Sequence, residues 1–267
     1  MLSLLLKSFK RLVTILIMAF LITASFTFSY SDQKEEFIRY SIDNNYIRYQ
    51  VIEEVGHFNN VHQADIVIRA GEYQGKSGKR IYINNTTVHL PDDIPIRNDH
   101  DGKGFYVSEW DINVKEAKAL VNKLRANGIN AKLQIAYERS EDLNAAAKIA
   151  NKSNPYIYLS LHHNYYDSNS SGYFAMYNPG DNRSEQLAKI LSNAIKNNQV
   201  PQRCNEPNTG YIGELNSIDK ATTPVLLELG FFSNLSELEK ICSDSYVDFV
   251  STQLANELTT IINTQYK

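Results

Sequence analysis

Asp65-Ile-Val-Ile-Arg-Ala70 is an apolar run of strand length, followed directly by Gly71 and Glu72. A run that is apolar at nearly every position is what a strand buried on both faces requires. Two more stand downstream, Tyr156-Ile-Tyr-Leu-Ser-Leu161 and Pro224-Val-Leu-Leu-Glu-Leu229, with a shorter one from Ala131 to Ala136. Between and after them the apolar residues switch to helical spacing: Ala117, Leu120, Val121 and Leu124, then Leu143, Ala146, Ala147 and Ala150, then Leu187, Ile190, Leu191, Ala194 and Ile195. A last helix from about Ser245 stacks Val250, Leu254, Leu258 and Ile261. Alternating signals of this kind predict an α/β fold, a mostly parallel sheet covered by helices on both faces.

The helix behind the first strand is expected from Glu109 to Asn127. Ser108 is its N-cap, Asp111 completes a capping-box-like pair, and Gly128 stops it where a left-handed cap would sit. Another helix is expected over Arg183 to Asn197. Tyr73 to Val107 is too long for an ordinary connection, since most run to about 4–6 residues. With the strand-like Arg80-Ile-Tyr-Ile83 and prolines at 91 and 95, it predicts an insertion after the first strand, a hairpin beside the site.

A chain of 267 residues, 43% of them hydrophobic, can bury one ordinary core. Its net charge of -3 gives no broad phosphate-neutralising surface, which excludes nucleic acid as an expected partner. Lys7, Lys10 and Arg11 precede the apolar run from Leu12 to Ala24, the charge-then-apolar order of an export segment. Residues 1–30 therefore read as a cleaved signal peptide or, with Phe26, Phe28 and Tyr30 extending the run, as an uncleaved membrane anchor. The expected location is extracellular or at the cell surface. Residues 31–63 read as a linker or edge element, and residues 64–267 as the folded domain. Cys204 and Cys242 lack metal-finger spacing and are read as free, a bridge being the alternative in an oxidising compartment.

Glu72 follows the first strand, His162 follows the Tyr156 run, and Glu228 lies within the end of the Pro224 run. Ligands of open parallel sheets bind at the carboxyl ends of the strands, so these side chains converge on one edge, with Glu109 leaning over it from the helix start. Carboxylates with an imidazole suit a hydrolytic metal site, which needs three protein ligands, an open position and a further carboxylate to take a proton from water. Singly, His162 fits an ordinary structural histidine, and Glu109 suits the first turn of any helix. Glu228 is more telling, because a carboxylate in an apolar strand is costly to bury without a metal, cation or donor.

Ser160-Leu-His-His-Asn164 resembles the Ser-x-His-x-Asn element of the zinc-dependent N-acetylmuramoyl-L-alanine amidases of the type-three family. Leu226-Leu-Glu-Leu-Gly-Phe-Phe-Ser-Asn234 is similar to that family's catalytic Glu-x-Gly-Phe-x-Ser-Asn element. Ser108 to Asn113 resembles the segment with its metal-binding glutamate, and Leu143 to Asn151 its Leu-x-x-Arg-x-x-x-Ala-Asn helix, with Ala146 at the usual Arg. The resemblance covers about Asp65 to Ile262. It implies an amidase-like catalytic domain over residues 64–267 that cuts the amide between N-acetylmuramic acid and L-alanine of peptidoglycan. Glu109 and His162 would be metal ligands and Glu228 the catalytic acid/base.

The family's first ligand is a His after Ala/Pro-Gly, whereas Ala70-Gly71 is followed here by Glu72. Glu72 is a legitimate zinc ligand and would complete the set, though two carboxylates cancel the ion's charge and favour a harder metal such as manganese. Alternatively another histidine serves, from His163, His100, His89, His62 and His57. As a third reading, the metal has been lost and the chain is a noncatalytic peptidoglycan-binding or regulatory relative. His163 follows His162 and points to the opposite side of an extended chain, hence a structural or wall-facing reading. Asn164 and Asn234 either hold substrate or cap and turn the backbone. Trp110, Tyr165, Tyr166, Tyr173 and Tyr211 either floor a groove or pack.

Overall fold

The apolar runs become the centre of a sheet of seven strands. The computed structural model describes residues 50–52, 62–74, 78–84, 87–99, 101–136, 144–197, 199–204, 207–210 and 212–267. All belong to the unit Tyr46–Lys267. The unit Met1–Asn45 lies outside the described residues, as do the export segment, most of residues 31–63, His57, His100, Leu143 and Tyr211.

In chain order the elements are β1 (Gln50–Ile52), β2 (Ile66–Ala70), β3 (Arg80–Tyr82), β4 (Arg97–Asp99), β5 (Gly104–Ser108) and α1 (Glu109–Ala126). Next come β6 (Ala131–Ala136), α2 (Ala145–Asn151), β7 (Ile157–Asn164), β8 (Phe174–Tyr177), α3 (Asn182–Ala194) and β9 (Asn208–Thr209). The last are α4 (Gly213–Asn216), β10 (Thr223–Phe231), α5 (Leu235–Cys242) and α6 (Asp244–Ile261), which runs into a π-helical turn, Ile262–Tyr266.

The main sheet has the order β1-β6-β2-β7-β10-β8-β9. Its four inner strands, β6, β2, β7 and β10, are parallel, whereas β1 and β8 pair with their neighbours in antiparallel fashion. One core cluster joins Ile66, Ile68, Leu159 and Leu161 to Leu120 and Leu124 of α1 and Leu254 and Leu258 of α6. A smaller one joins Val67, Tyr158 and Leu226, on the other side of the sheet, to Ala147 and Ala150 of α2 and Leu215 of α4. Helices thus cover both faces, and the doubly buried strands account for the near-continuous apolar runs.

The insertion is a small antiparallel sheet in the order β3-β5-β4, so β4 and β5 form a hairpin joined by β3. Ser108 caps α1, accepting from the Trp110 amide at 3.2 Å. Asp111 does not complete a capping box. It accepts from Arg97 Nε at 2.9 Å and Nη2 at 2.7 Å, tying the insertion to the helix, because a guanidinium makes a stronger partner for a carboxylate than a backbone amide does. Gly128, at φ 79°, closes the helix as its position suggests. Cys204 and Cys242 are both free. Among the described residues, no helix is long and apolar enough to cross a membrane.

Candidate functional site

β2 leads through α1 to β6 on one side, and the chain then crosses to β7 on β2's other side and on to β10. The strand order therefore reverses about β2, and the carboxyl ends of β2 and β7 flank the crevice where open α/β sheets take their ligands. Glu72 lies just past one of these ends and His162 within the other, since β7 continues through His162 and His163 to Asn164 rather than stopping at Leu161. Glu228 of β10 stands in register beside His162. In-register residues of parallel strands project to the same side, so both side chains share one face.

Glu72, Glu109 and His162 each offer a ligand atom, and these atoms all lie within 4.8 Å of one another. Glu109 is fully buried. Its Oε1 accepts from Asn113 Nδ2 at 3.1 Å and the His163 amide at 3.2 Å, and lies 3.1 Å from His162 Nδ1. One oxygen is thus anchored, while Oε2 has no hydrogen-bond partner among the described residues. His162 Nε2 and Glu228 Oε2 are also buried without partners. Buried polar atoms are nearly always paired, so three orphans at one crevice are a departure that calls for a group to meet them.

Local structure explains how the site is held open. A Cβ on Gly71 would fall 2.4 Å from His162 Nε2 and Cε1, so only glycine lets the imidazole lie against β2. Glu72 takes a left-handed φ of 59°, uncommon for a residue other than glycine. Asn113, one helical turn beyond Glu109, donates to Gly71 O at 3.1 Å as well as to Glu109, and its Oδ1 lies 2.8 Å from His163 Nδ1. His163 is thus a fully buried brace on the opposite side of β7 from His162.

The electrostatics follow from crowding. Burial opposes protonation of His162, but the Glu109 carboxylate, with Glu228 and Glu214 beyond, outweighs it and holds the imidazole above its ordinary range. Burial likewise pushes Glu109 up, yet His162, Lys79 and Asn113 bring it below the usual carboxylate range. For Glu228 burial wins: with Glu109 and Glu72 adding their charge against His162 and Lys79, its carboxyl is pushed up to about 7. That value suits a group that takes and returns a proton near neutrality. His163, desolvated beneath the site, falls to about 3 and stays neutral.

Two nearby groups had no place in the expectations. Lys79, from the insertion, lies 3.6 Å from Glu72 Oε1 and 3.9 Å from Glu109 Oε2. Arg69 and Glu214 form a buried ion pair below the site, and Tyr158 Oη donates to Glu214 at 2.7 Å. A charge inside an apolar strand marks Arg69 by the same reasoning that marks Glu228. Asn113 was detectable as the residue four on from Glu109; Lys79 had no such signal. Of the other described histidines, His62 lies against Asn154 O and Tyr156, and His89 against Glu239. Neither reaches the cluster, and among the described residues Glu72 is the third member.

The remaining motif residues cap α5 and tie loops together. Asn234 caps α5, accepting from the Ser236 and Glu237 amides at 3.1 Å and 3.3 Å. Ser233 Oγ accepts from the Tyr166 amide at 3.1 Å and donates to Asp167 O at 3.1 Å, joining the loops after β10 and β7. Asn164 O accepts from the Phe232 amide at 3.0 Å. Trp110 and Tyr173 are buried packing residues, whereas Tyr165 and Tyr166 are exposed.

The fold is one that solved N-acetylmuramoyl-L-alanine amidases share. The chain is similar to an N-acetylmuramoyl-L-alanine amidase from Clostridium difficile 630, with a TM-score of 0.55, 18% identity and coverage of 77% of this chain and 100% of that one. The amidase AmiC2 of Nostoc punctiforme gives a TM-score of 0.56 at 17% identity, covering 75% of this chain and 98% of that one. Ami1 from Mycobacterium smegmatis gives 0.58 at 15% identity, covering 75% and 97%. A comparison with curated proteins finds no match. The family model described as N-acetylmuramoyl-L-alanine amidase matches residues 97–260, more than half of the chain. The chain belongs to the N-acetylmuramoyl-L-alanine amidase family.

Proposed function

We propose that the chain is a metal-dependent amidase that hydrolyses the amide between N-acetylmuramic acid and L-alanine of the peptidoglycan stem peptide, with zinc, or manganese, held by Glu72, Glu109 and His162. The observation that carries this reading is the trio of buried atoms without a hydrogen-bond partner, Glu109 Oε2, His162 Nε2 and Glu228 Oε2, beside the carboxylate of Glu72. Oxygen and imidazole donors at this spacing fit a divalent ion, and Glu is an accepted zinc ligand.

When bound, such an ion supplies Lewis acidity toward the scissile carbonyl. The chain's own residues do the rest. Glu228, in register with His162, takes a proton from the attacking water as its oxygen bonds to the carbonyl carbon. It then gives that proton to the alanine nitrogen as the C–N bond breaks, leaving a carboxylic acid on the sugar's lactyl group and a free amine on the peptide. Glu109 and His162 are held in place by Asn113, the His163 amide and the absence of a side chain at Gly71. Export through residues 1–30, cleaved or retained as an anchor, would bring the domain to the wall.

Lys79 favours the alternative, a wall-binding relative without metal, because an ammonium already faces Glu72 and Glu109. Digestion of purified peptidoglycan followed by mass analysis separates the two. Whole stem peptides released from intact glycan, lost on chelation and in Glu228→Gln, are the expected result. Peptides cut internally would indicate a different peptidase, and no release with either metal would leave the wall-binding reading.

A further inference from the structure

Lys79 is placed by two restraints of different stiffness. Its backbone is fixed at the end of the insertion sheet: Lys79 O accepts from the Glu109 amide at 3.1 Å, and Arg80 next to it pairs with Ser108 in β5. Its side chain is half-exposed and ends in an ammonium facing both Glu72 Oε1 and Glu109 Oε2. The second of these is one of the orphaned atoms. Lysine carries a compact charge on a four-carbon stem with many rotamers, so its tip can leave a site that its backbone cannot.

Glu72 raises the number of carboxylates around the crevice to three, with Glu109 and Glu228, against one imidazole. Like charges this close repel, and a cation among them lowers their energy. A divalent ion at about 2.0–2.2 Å from the same oxygens would take the place of the charge that the ammonium now offers from 3.6–3.9 Å. We propose that Lys79 is a tethered cation that competes with the metal for Glu72 and Glu109, so that it sets the affinity of the site and swings outward when the ion binds. The proposal rests on the metal reading above. It assigns Lys79 a positioning and affinity-setting role, with no contact to substrate.

The test is a titration of the full 267-residue chain, freed of metal, with zinc and separately with manganese. Parent, Lys79→Met and Lys79→Arg are compared by calorimetry, with the rise in melting temperature on metal addition as a second readout. Lys79→Met is expected to bind roughly tenfold more tightly, as removal of a nearby competing charge requires. It should also show the larger thermal gain, while Lys79→Arg stays near the parent. Equal affinity in parent and Met variant would overturn the Lys79 proposal and leave the metal reading standing. Weaker binding by the Met variant would also overturn it, since Lys79 would then be helping to arrange the ligands. Binding by neither protein would overturn both readings.

Discussion

Two charged clusters lie along β7, their members on that strand, Tyr158 and His162, four residues or about 13 Å apart. The lower holds Arg69, Glu214 and Tyr158; the upper holds Glu72, Glu109, His162 and Glu228. In the lower cluster both oxygens of Glu214 are taken, one by Arg69 and one by Tyr158 Oη. Burial pushes Glu214 up, but Arg69 outweighs it, so the carboxylate stays charged with its titration below the usual range. The upper cluster leaves three polar atoms unmatched and pushes Glu228 up to about 7. The carboxylates thus serve two ends: the paired oxygens of Glu214 hold β2, β7 and α4 together, with Arg69 Nε the one buried atom of that cluster left over among the described residues, whereas the open oxygens of Glu109 and Glu228 are what the proposed metal site requires.

The comparison is broken most severely at Glu228. Its change to Gln should lower the rate of stem-peptide release by about a thousandfold, within the range for a general acid/base, while metal binding persists and the fold is not weakened. Next is Glu214→Ala, which leaves Arg69 charged and buried. It should destabilise the fold by roughly 3 kcal/mol in denaturant unfolding, yet spare metal affinity in the molecules that remain folded. A double change of Arg69→Met with Glu214→Leu should recover most of that loss, because the burden lies in the unpaired charge.

pH sharpens the contrast. Glu228 has its folded titration raised above the ordinary 4.5, so the stability it contributes is full below about 4.5 and is lost as pH rises through about 7. In the metal-free protein, Glu228→Gln should therefore gain on the parent across that window, by about 1–3 kcal/mol at pH 8 in thermal or denaturant unfolding. Glu214, shifted the other way, should give no such trend between pH 5 and 8. Smaller effects are expected around the site. Gly71→Ala should displace the His162 ring and cost about 1–2 kcal/mol of stability together with metal affinity. Asn113→Ala should cost about 1 kcal/mol, with weaker metal binding in the same titration.

Much of this was legible in the sequence, and for reasons that differ by residue. The doubly buried strands gave near-continuous apolar runs, and the helix from Glu109 carried both its cap and its stop. Glu228 announced itself as a carboxylate in an apolar strand. Arg69 carried the same signal, but its partner Glu214 sits 145 residues away on a helix of four residues that no periodicity can reveal. α5 had no reading from the sequence, and β8 and β9, of four and two residues, are too short to give one. Lys79 was hidden in the insertion, whose path depends on the tie from Arg97 to Asp111 rather than on any local pattern. Local chemistry marks the strands and caps, whereas the second layer of the site is made by long-range pairing.

The most direct measurement of the central claim is the metal content of the purified chain after reconstitution with zinc or manganese, compared with His162→Ala, Glu72→Ala and Glu214→Ala. Near one ion per chain in the parent, lost in the first two variants and kept in the folded fraction of the third, is the expected result. No ion in the parent, or an ion retained without His162 and Glu72, would contradict it.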